Sequence, residues 1–175
     1  VGELESLISL PYSERAARIL AKFLTDYTYE ELLADTEAAY CEEGFGSHAA
    51  PVTMIDEQTY MLELWHGPTC AFKDMALQML PYLLTASMKK NGEDKTVCIL
   101  VATSGDTGKA ALEGFCDVEN TEILVFYPSD GVSPMQKLQM DSQKGANVHV
   151  QAIKGNFDDA QTGVKKIFTN NAVKE

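Results

Sequence analysis

The sequence predicts an α/β protein in which a helical N-terminal region precedes a parallel sheet covered by helices, a three-layer arrangement. From residue 96 onward, three apolar strand-like segments alternate with three amphipathic segments of helical spacing. The first 50 residues, in contrast, hold two helix-like segments. We therefore divide the chain into a helical region (1–50), a short strand pair with a helix (51–95) and an incomplete parallel βαβαβα domain (96–175).

The N-terminal region contains two predicted helices. Ser13 is placed to cap the first helix, because apolar residues follow it at helical spacing. The second helix begins at Thr28, whose partner Glu31 completes a capping box. Beyond a glycine-containing break, residues 52–55 and 60–64 predict a short pair of strands.

The rest of the chain alternates between helix and strand. A helix is predicted from Phe72 to Met88, and Pro81 is expected to kink it. The near-continuous apolar run at 96–101 is typical of a strand covered on both faces. The further elements are predicted at 107–115 (helix), 122–127 (strand), 133–145 (helix, opened by Ser133 and Pro134), 148–153 (strand) and from 156 onward (helix). This alternation predicts parallel strands joined by right-handed crossovers.

Charge and cysteine content restrict the possible partners and location. The net charge is −12, and residues 1–45 hold ten acidic against three basic side chains. This argues against nucleic acid or an anionic membrane as a partner. No apolar run is long enough to cross a bilayer. The cysteines form no C-x-x-C pair, so we expect reduced thiols in a cytoplasmic protein and no metal site; they are Cys41, Cys70, Cys98 and Cys116.

Lys73 breaks a local rule. It is predicted in the first turn of a helix, where the macrodipole disfavours a cation. Its apolar neighbours Ala71 and Phe72 are expected to desolvate it partly and to favour the uncharged, nucleophilic amine. Taken alone, the same residues fit a surface lysine whose stem packs along the phenylalanine. His66 is equally a candidate substrate contact and a turn residue, and Cys70 is predicted to be a packing residue.

The segment from Thr103 to Gly108 joins an apolar strand to a helix. Its glycines let the backbone approach a ligand, and its free amides suit a carboxylate or phosphate. A nucleotide-binding P-loop is one alternative, since Gly108 and Lys109 adjoin; however, only two residues separate the glycines, and Ala110 follows the lysine. A plain turn closed by small residues is the other alternative.

The stretch from Glu63 to Asp74, ELWHGPTCAFKD, closely resembles the cofactor-lysine motif of threonine synthases. Three further segments match that family in the expected order, so the resemblance covers the whole chain. They are Ala102–Gly108, Tyr127–Gln136 (by its Tyr-Pro and Val-Ser-Pro-Met-Gln parts) and Gly155–Asp159.

The resemblance implies the two-domain fold of tryptophan synthase β-type enzymes, with pyridoxal 5'-phosphate between the domains. Lys73 would be the catalytic Schiff-base lysine, and Phe72 would lie beside the cofactor ring. Asp106 would lie near the cofactor's phenolic oxygen, where related enzymes commonly have asparagine; a carboxylate would repel a phenolate unless they share a proton. The substrate carboxylate would be bound by Ser104, Gly105, Thr107 and Gly108.

The implied reaction converts O-phosphohomoserine and water to threonine and phosphate, a lyase-type step of threonine and amino-acid biosynthesis. Alternatives are another lyase of this fold, such as a dehydratase or a phospholyase, a nucleotide-binding module, and an interaction module with a decayed site. Family members are longer, and the loops expected for the cofactor phosphate and the substrate phosphate do not follow Lys73. We therefore expect a fragment that does not catalyse the reaction by itself.

Overall fold

The computed structural model describes residues 2–173, apart from the side chain of Glu3. The chain forms two compact units, which divide between Leu83 and Leu84. The predicted division into three segments stays a prediction.

The first unit combines helices with a strand pair. Its elements are α1 (Gly2–Glu5), α2 (Tyr12–Leu20), α3 (Tyr29–Ala39), α4 (Glu42–Phe45), the antiparallel strands β1 (Val52–Met54) and β2 (Tyr60–Leu62), and α5 (Asp74–Leu77). The predicted strand pair is thus confirmed, with shorter strands. Helices α2 and α3 contact each other and bury Ala17 and Leu32 completely.

One of the two predicted caps in this unit is confirmed. The Glu31 amide donates to Thr28 Oγ1 at 3.2 Å, and the Thr28 amide donates to Glu31 Oε2 at 2.8 Å. The Ser13 cap is wrong, because α2 already begins at Tyr12 and no side chain caps it. Pro11 opens this helix, since its fixed φ suits the position and its carbonyl accepts from the Arg15 amide at 3.0 Å.

The single kinked helix predicted from Phe72 to Met88 is also wrong. The chain forms α5 and then a separate helix α6 (Leu80–Asn91), with the break at Gln78 and Met79. Pro81 lies in the first turn of α6, where its missing N–H leaves no hydrogen bond unmade. The proline is therefore compatible with the start of a helix and does not kink its interior.

The second unit is built on a parallel sheet in the order β3-β4-β5. Its elements are β3 (Val97–Ala102), α7 (Asp106–Gly114), β4 (Thr121–Pro128), α8 (Pro134–Asp141), β5 (Val148–Ile153), α9 (Phe157–Thr169) and a 3₁₀ turn (Asn171–Val173). The predicted parallel sheet and the predicted cap at Ser133 are confirmed, since Ser133 Oγ accepts from the Gln136 amide at 3.2 Å.

Two details of this unit differ from the prediction. Strand β3 is not covered along both faces, because the Cys98 side chain is exposed while the other residues of the strand are half-buried. Helix α8 ends at Asp141, before Gly145. The chain beyond it is held as a loop, since Asp117 Oδ1 accepts from the Ala146 amide at 2.7 Å.

Tyr40 anchors the segment that carries Lys73. Its hydroxyl donates to the Met75 carbonyl at 2.7 Å, and its ring contacts Tyr12 and Phe45 edge to face at 5.0 and 5.5 Å. Burial raises the pKa of Tyr40, consistent with a hydroxyl that stays protonated. The end of α3 is thereby tied to α5.

We predict that Tyr40→Phe lowers the free energy of unfolding by about 1 kcal/mol, because the Met75 carbonyl loses its donor. Urea unfolding measures the change. The matched control is Tyr60→Phe, since Tyr60 is exposed and its hydroxyl makes no hydrogen bond within residues 2–173. Equal effects of the two substitutions would contradict the anchoring role.

Candidate active site

The first candidate segment is the turn of residues 66–74, here called the lysine turn. Asp74 is fully buried in it and accepts from the Thr69 amide at 2.9 Å and from Thr69 Oγ1 at 2.7 Å. A Cβ on Gly67 would lie 2.5 Å from the Cβ of Asp74, so only glycine fits there. The carboxylate that follows Lys73 therefore fixes the backbone that precedes it.

The lysine turn also contains backbone in an unusual conformation. Cys70 has φ of 58°, in the left-handed region that non-glycine residues seldom occupy. Its side chain is exposed, so the predicted packing role is wrong. Strain of this kind costs on the order of 1 kcal/mol and persists where neighbouring contacts enforce it. Here Asp74 holds the preceding residue, Thr69, and the Cys70 amide donates to the Gly67 carbonyl at 3.0 Å.

Lys73 lies immediately before α5, as its predicted place at a helix start requires. The residue is half-buried, and its Nζ lies 4.6 Å from the centre of the Phe72 ring, which is itself 56% exposed. None of the described side chains forms an ion pair with Lys73. An amine without an acidic partner is available to react with a carbonyl group.

His66 opens the lysine turn and has a carboxylate partner. Its Nε2 lies 2.6 Å from Glu63 Oε2, and its ring stacks on Trp65 with centroids 5.7 Å apart. The other Glu63 oxygen accepts from Thr53 Oγ1 at 2.5 Å. Hydrogen bonds from Thr53 and, to a lesser extent, His66 lower the pKa of Glu63. Glu63 thus links strand β1 to the lysine turn.

The second candidate segment, here called the glycine loop, comprises residues 103–108. Thr103 is buried, and its Oγ1 accepts from the amides of Gly105 at 3.0 Å and Gly108 at 2.9 Å while donating to the Gly105 carbonyl at 3.1 Å. A Cβ on Gly108 would lie 2.3 Å from Thr103 Cγ2. One hydroxyl therefore sets the shape of the loop at the carboxyl end of β3.

The glycine loop presents several free donors at the start of α7. In the part of the chain that the structure describes, the amides of Asp106 and Thr107 donate to no other group, and Ser104 is exposed. Oriented amides at a helix N-terminus favour anions. The structure thus brings together the predicted loop residues Ser104, Gly105, Asp106, Thr107 and Gly108, whose binding roles stay predictions.

A residue that sequence reasoning missed contacts this loop. Gln136, in the first turn of α8, donates through Nε2 to Asp106 Oδ1 at 2.6 Å. Its only signal in the sequence was its place in the Ser-Pro-Met-Gln segment of the family resemblance. Asp74 and Thr103, likewise, were quoted in motifs without a role.

Lys109 does not behave as a P-loop lysine. Its Nζ donates to Glu113 Oε2 at 2.9 Å and also to Gln143 Oε1, and its side chain is only 14% exposed. A lysine engaged in this way is not free to contact phosphate, which disfavours the nucleotide-binding alternative.

The described residues contain no cluster of His, Cys, Asp or Glu able to hold a metal ion. None of the described helices is long and apolar enough to cross a membrane.

Lys73 and Phe72 belong to the first unit, and the glycine loop belongs to the second.

The chain matches no family model. It is 40% identical over 172 residues to threonine synthase of Pseudomonas aeruginosa, covering 96% of this chain and 35% of that protein. It is 36% identical over 176 residues to human threonine synthase-like 1, covering 97% of this chain and 23% of that protein.

Solved structures agree with these relatives. A threonine synthase from Brucella melitensis, described as bound to pyridoxal phosphate, superimposes with a TM-score of 0.87 at 36% identity, covering 98% of this chain and 36% of that one. Threonine synthase from Escherichia coli gives a TM-score of 0.84 at 32% identity, covering 99% and 38%.

The chain therefore has the architecture of the tryptophan synthase β-like class of pyridoxal-phosphate enzymes, as the sequence predicted. Within that class it is a homologue of the threonine synthases, and it spans about a third of the length of those it matches.

We predict that Thr103→Val destabilises the protein by about 1–3 kcal/mol, because the buried Gly105 amide loses its acceptor and the Gly108 amide keeps only the Gly105 carbonyl. Chemical unfolding measures the loss. Thr162→Val on α9 is the control, since Thr162 is exposed and its hydroxyl makes no hydrogen bond in the described chain. A loss no greater than the control's would show that the hydroxyl does not hold the loop.

A further prediction concerns Glu63, whose pKa in the folded protein is lower than its ordinary value. Its stabilising effect is present above the unfolded pKa and is lost as pH falls through the folded pKa. Thr53→Val should raise the folded pKa of Glu63, so the variant should be less stable than the wild type at neutral pH and equally stable in acid.

NMR titration of the Glu63 carboxyl measures this shift. Asp56 serves as an internal control, because hydrogen bonds from Gln58 and Thr59 within its own turn lower its pKa. An unchanged Glu63 pKa in the variant would contradict the assignment to Thr53.

Proposed function

We propose that this chain is the part of a pyridoxal-phosphate-dependent threonine synthase that supplies the cofactor lysine. The observation that carries the proposal is Lys73, a half-buried amine with no acidic partner among residues 2–173, in a turn fixed by a buried carboxylate. The homology to threonine synthases over nearly the whole chain supports the same assignment.

The residues of the chain suit this cofactor. The free amine of Lys73 would bind the aldehyde carbon covalently, and the exposed Phe72 ring would lie beside the pyridine ring. Asp106 would contact the cofactor ring from the glycine loop. When bound, pyridoxal phosphate supplies an electron sink for the loss of protons from the substrate carbons.

The chain's own residues would bind substrate and move protons. Lys73 Nζ would accept a proton from a substrate carbon and return it to another, as a positioned base does. The substrate carboxylate would be bound by the glycine loop at Ser104, Gly105, Thr107 and Gly108. The free amide of Thr107 and the hydroxyls of Ser104 and Thr107 would donate to it, since the Gly105 and Gly108 amides are already bonded to Thr103. In the overall reaction, O-phosphohomoserine loses phosphate and gains water to give threonine.

The segments expected to bind the cofactor phosphate and the substrate phosphate are not among these 175 residues. We therefore propose that the chain does not catalyse the reaction by itself. The unpaired thiols and the net charge of −12 support a cytoplasmic protein that acts on a small molecule and binds neither nucleic acid nor membrane.

A phospholyase of the same fold is the second candidate, because Lys73 and the glycine loop would serve either reaction. Such an enzyme would release phosphate from the substrate but yield a keto acid. The two candidates share the role of Lys73 and differ in their products, so product analysis separates them.

The test uses the full-length protein that contains this chain, saturated with pyridoxal phosphate, reduced with borohydride and mapped by mass spectrometry. We expect the label on Lys73. Lys73→Ala should lose the label and lower the rate of phosphate release from O-phosphohomoserine by about 10³-fold or more. Lys89→Ala, which removes an exposed lysine from α6, should change neither.

A folded, cofactor-saturated protein without label at Lys73 would refute the proposal. Label at Lys73 together with a keto acid as product would keep the lysine assignment and replace threonine synthase by the phospholyase. Chromatography of the products decides between these outcomes.

A further inference from the structure

Gln136 is held at both ends of its side-chain amide. Ser133 Oγ donates to its Oε1 at 3.0 Å, and its Nε2 donates to Asp106 Oδ1 at 2.6 Å. The hydroxyl that caps α8 therefore also orients the amide, because the acceptor end faces Ser133 and the donor end must face Asp106. The orientation follows from the hydrogen bonds on either side.

The same amide lies directly against the backbone of the glycine loop. A Cβ on Gly105 would lie 2.4 Å from Gln136 Nε2, 2.5 Å from its Cδ and 2.6 Å from its Oε1. Gly105 also has φ of 156°, which disfavours any side chain there. The absence of a side chain at Gly105 thus has two functions, since it permits the loop conformation and leaves space for Gln136.

Asp106 depends on Gln136 for its orientation. In the part of the chain that the structure describes, the Asp106 side chain makes no other hydrogen bond, and Asp106 is exposed. A carboxylate on an otherwise unconstrained side chain would sample several rotamers. The Gln136 amide selects one of them and engages one of the two oxygens.

We propose that Gln136 is a positioning residue that fixes the Asp106 carboxylate so that its second oxygen, Oδ2, accepts a hydrogen bond from a hydroxyl of the bound ligand. This inference rests on the proposed function, in which that ligand is the cofactor. An ionised carboxylate accepts but does not donate, so the pairing requires the ring hydroxyl to keep its proton. An asparagine at position 106 could donate instead and would not impose this protonation.

A purely structural role for Gln136 predicts a different result. If the Gln136 side chain served only the packing of α8 on α7, its loss would lower stability and leave the bound cofactor unchanged. The absorption spectrum of the cofactor separates the two, because it reports the protonation of the ring hydroxyl and the imine nitrogen.

The experiment uses the full-length protein loaded with pyridoxal phosphate. Gln136→Met keeps the length of the side chain and removes the donor; Gln136→Glu also removes the donor and adds a negative charge. Both should change the ratio of the two cofactor absorption bands and lower kcat by about 10-fold, the loss usual for a group that orients a ligand-binding residue. Gln139→Met, on the same helix and without a side-chain hydrogen bond in the described chain, should change neither.

A double-mutant cycle tests whether Gln136 acts through Asp106. In an Asp106→Ala background, adding Gln136→Met should have no further effect on the spectrum or on kcat. Spectra like that of Gln139→Met, or additive effects in the double variant, would overturn the proposal. If Gln136→Met does not fold, the spectrum of Gln136→Glu decides.

These outcomes differ from failure of the proposed function. Absence of a borohydride label at Lys73 in the wild type would show that the cofactor is not attached there, and it would refute both proposals. A labelled wild type whose spectrum does not respond at Gln136 would remove only the positioning role.

Discussion

A polar group that leaves water must find a hydrogen-bond partner within the protein, and this requirement shapes both candidate segments. In the lysine turn, the buried carboxylate of Asp74 draws the backbone and hydroxyl of Thr69 toward it. In the glycine loop, the buried hydroxyl of Thr103 accepts from two amides and donates to one carbonyl. In both cases glycine lies where the satisfied group leaves no space for a side chain.

The two lysines that sequence reasoning weighed differ in their surroundings. Lys109 is held by Glu113 and Gln143, so its charge is compensated within the helix and the neighbouring loop. Lys73 has an aromatic neighbour and forms no ion pair with any acidic side chain that the structure describes. A lysine held in an ion pair stabilises the structure, whereas the amine of an unpaired, half-buried lysine can react with a carbonyl group. The contrast favours covalent attachment at Lys73 over phosphate binding at Lys109.

Much of the fold could be predicted because local sequence determines it. The apolar runs of β3, β4 and β5 and the capping box at Thr28 follow from neighbouring residues. The failures arose where local signals competed. Pro11 opened a helix that Ser13 was expected to cap, and the apolar run of β3 was expected to be covered on both faces although Cys98 is exposed.

The candidate site was predictable only in part, for a related reason. Lys73 and the glycine loop stand out in the sequence through their residue types and spacing. The partner of Asp106 lies 30 residues away on another helix, and no local pattern links the two. The burial of Asp74 was equally hidden, since an acidic residue in the first turn of a helix is normally solvated.

The contact between Gly105 and Gln136 has an evolutionary consequence. Any side chain at position 105 would displace the amide, and a shorter residue at 136 would no longer reach Asp106. Neither substitution is neutral while the other residue is retained. Positions 105, 106 and 136 should therefore change together or not at all as sequences diverge. They would coevolve despite their separation along the chain.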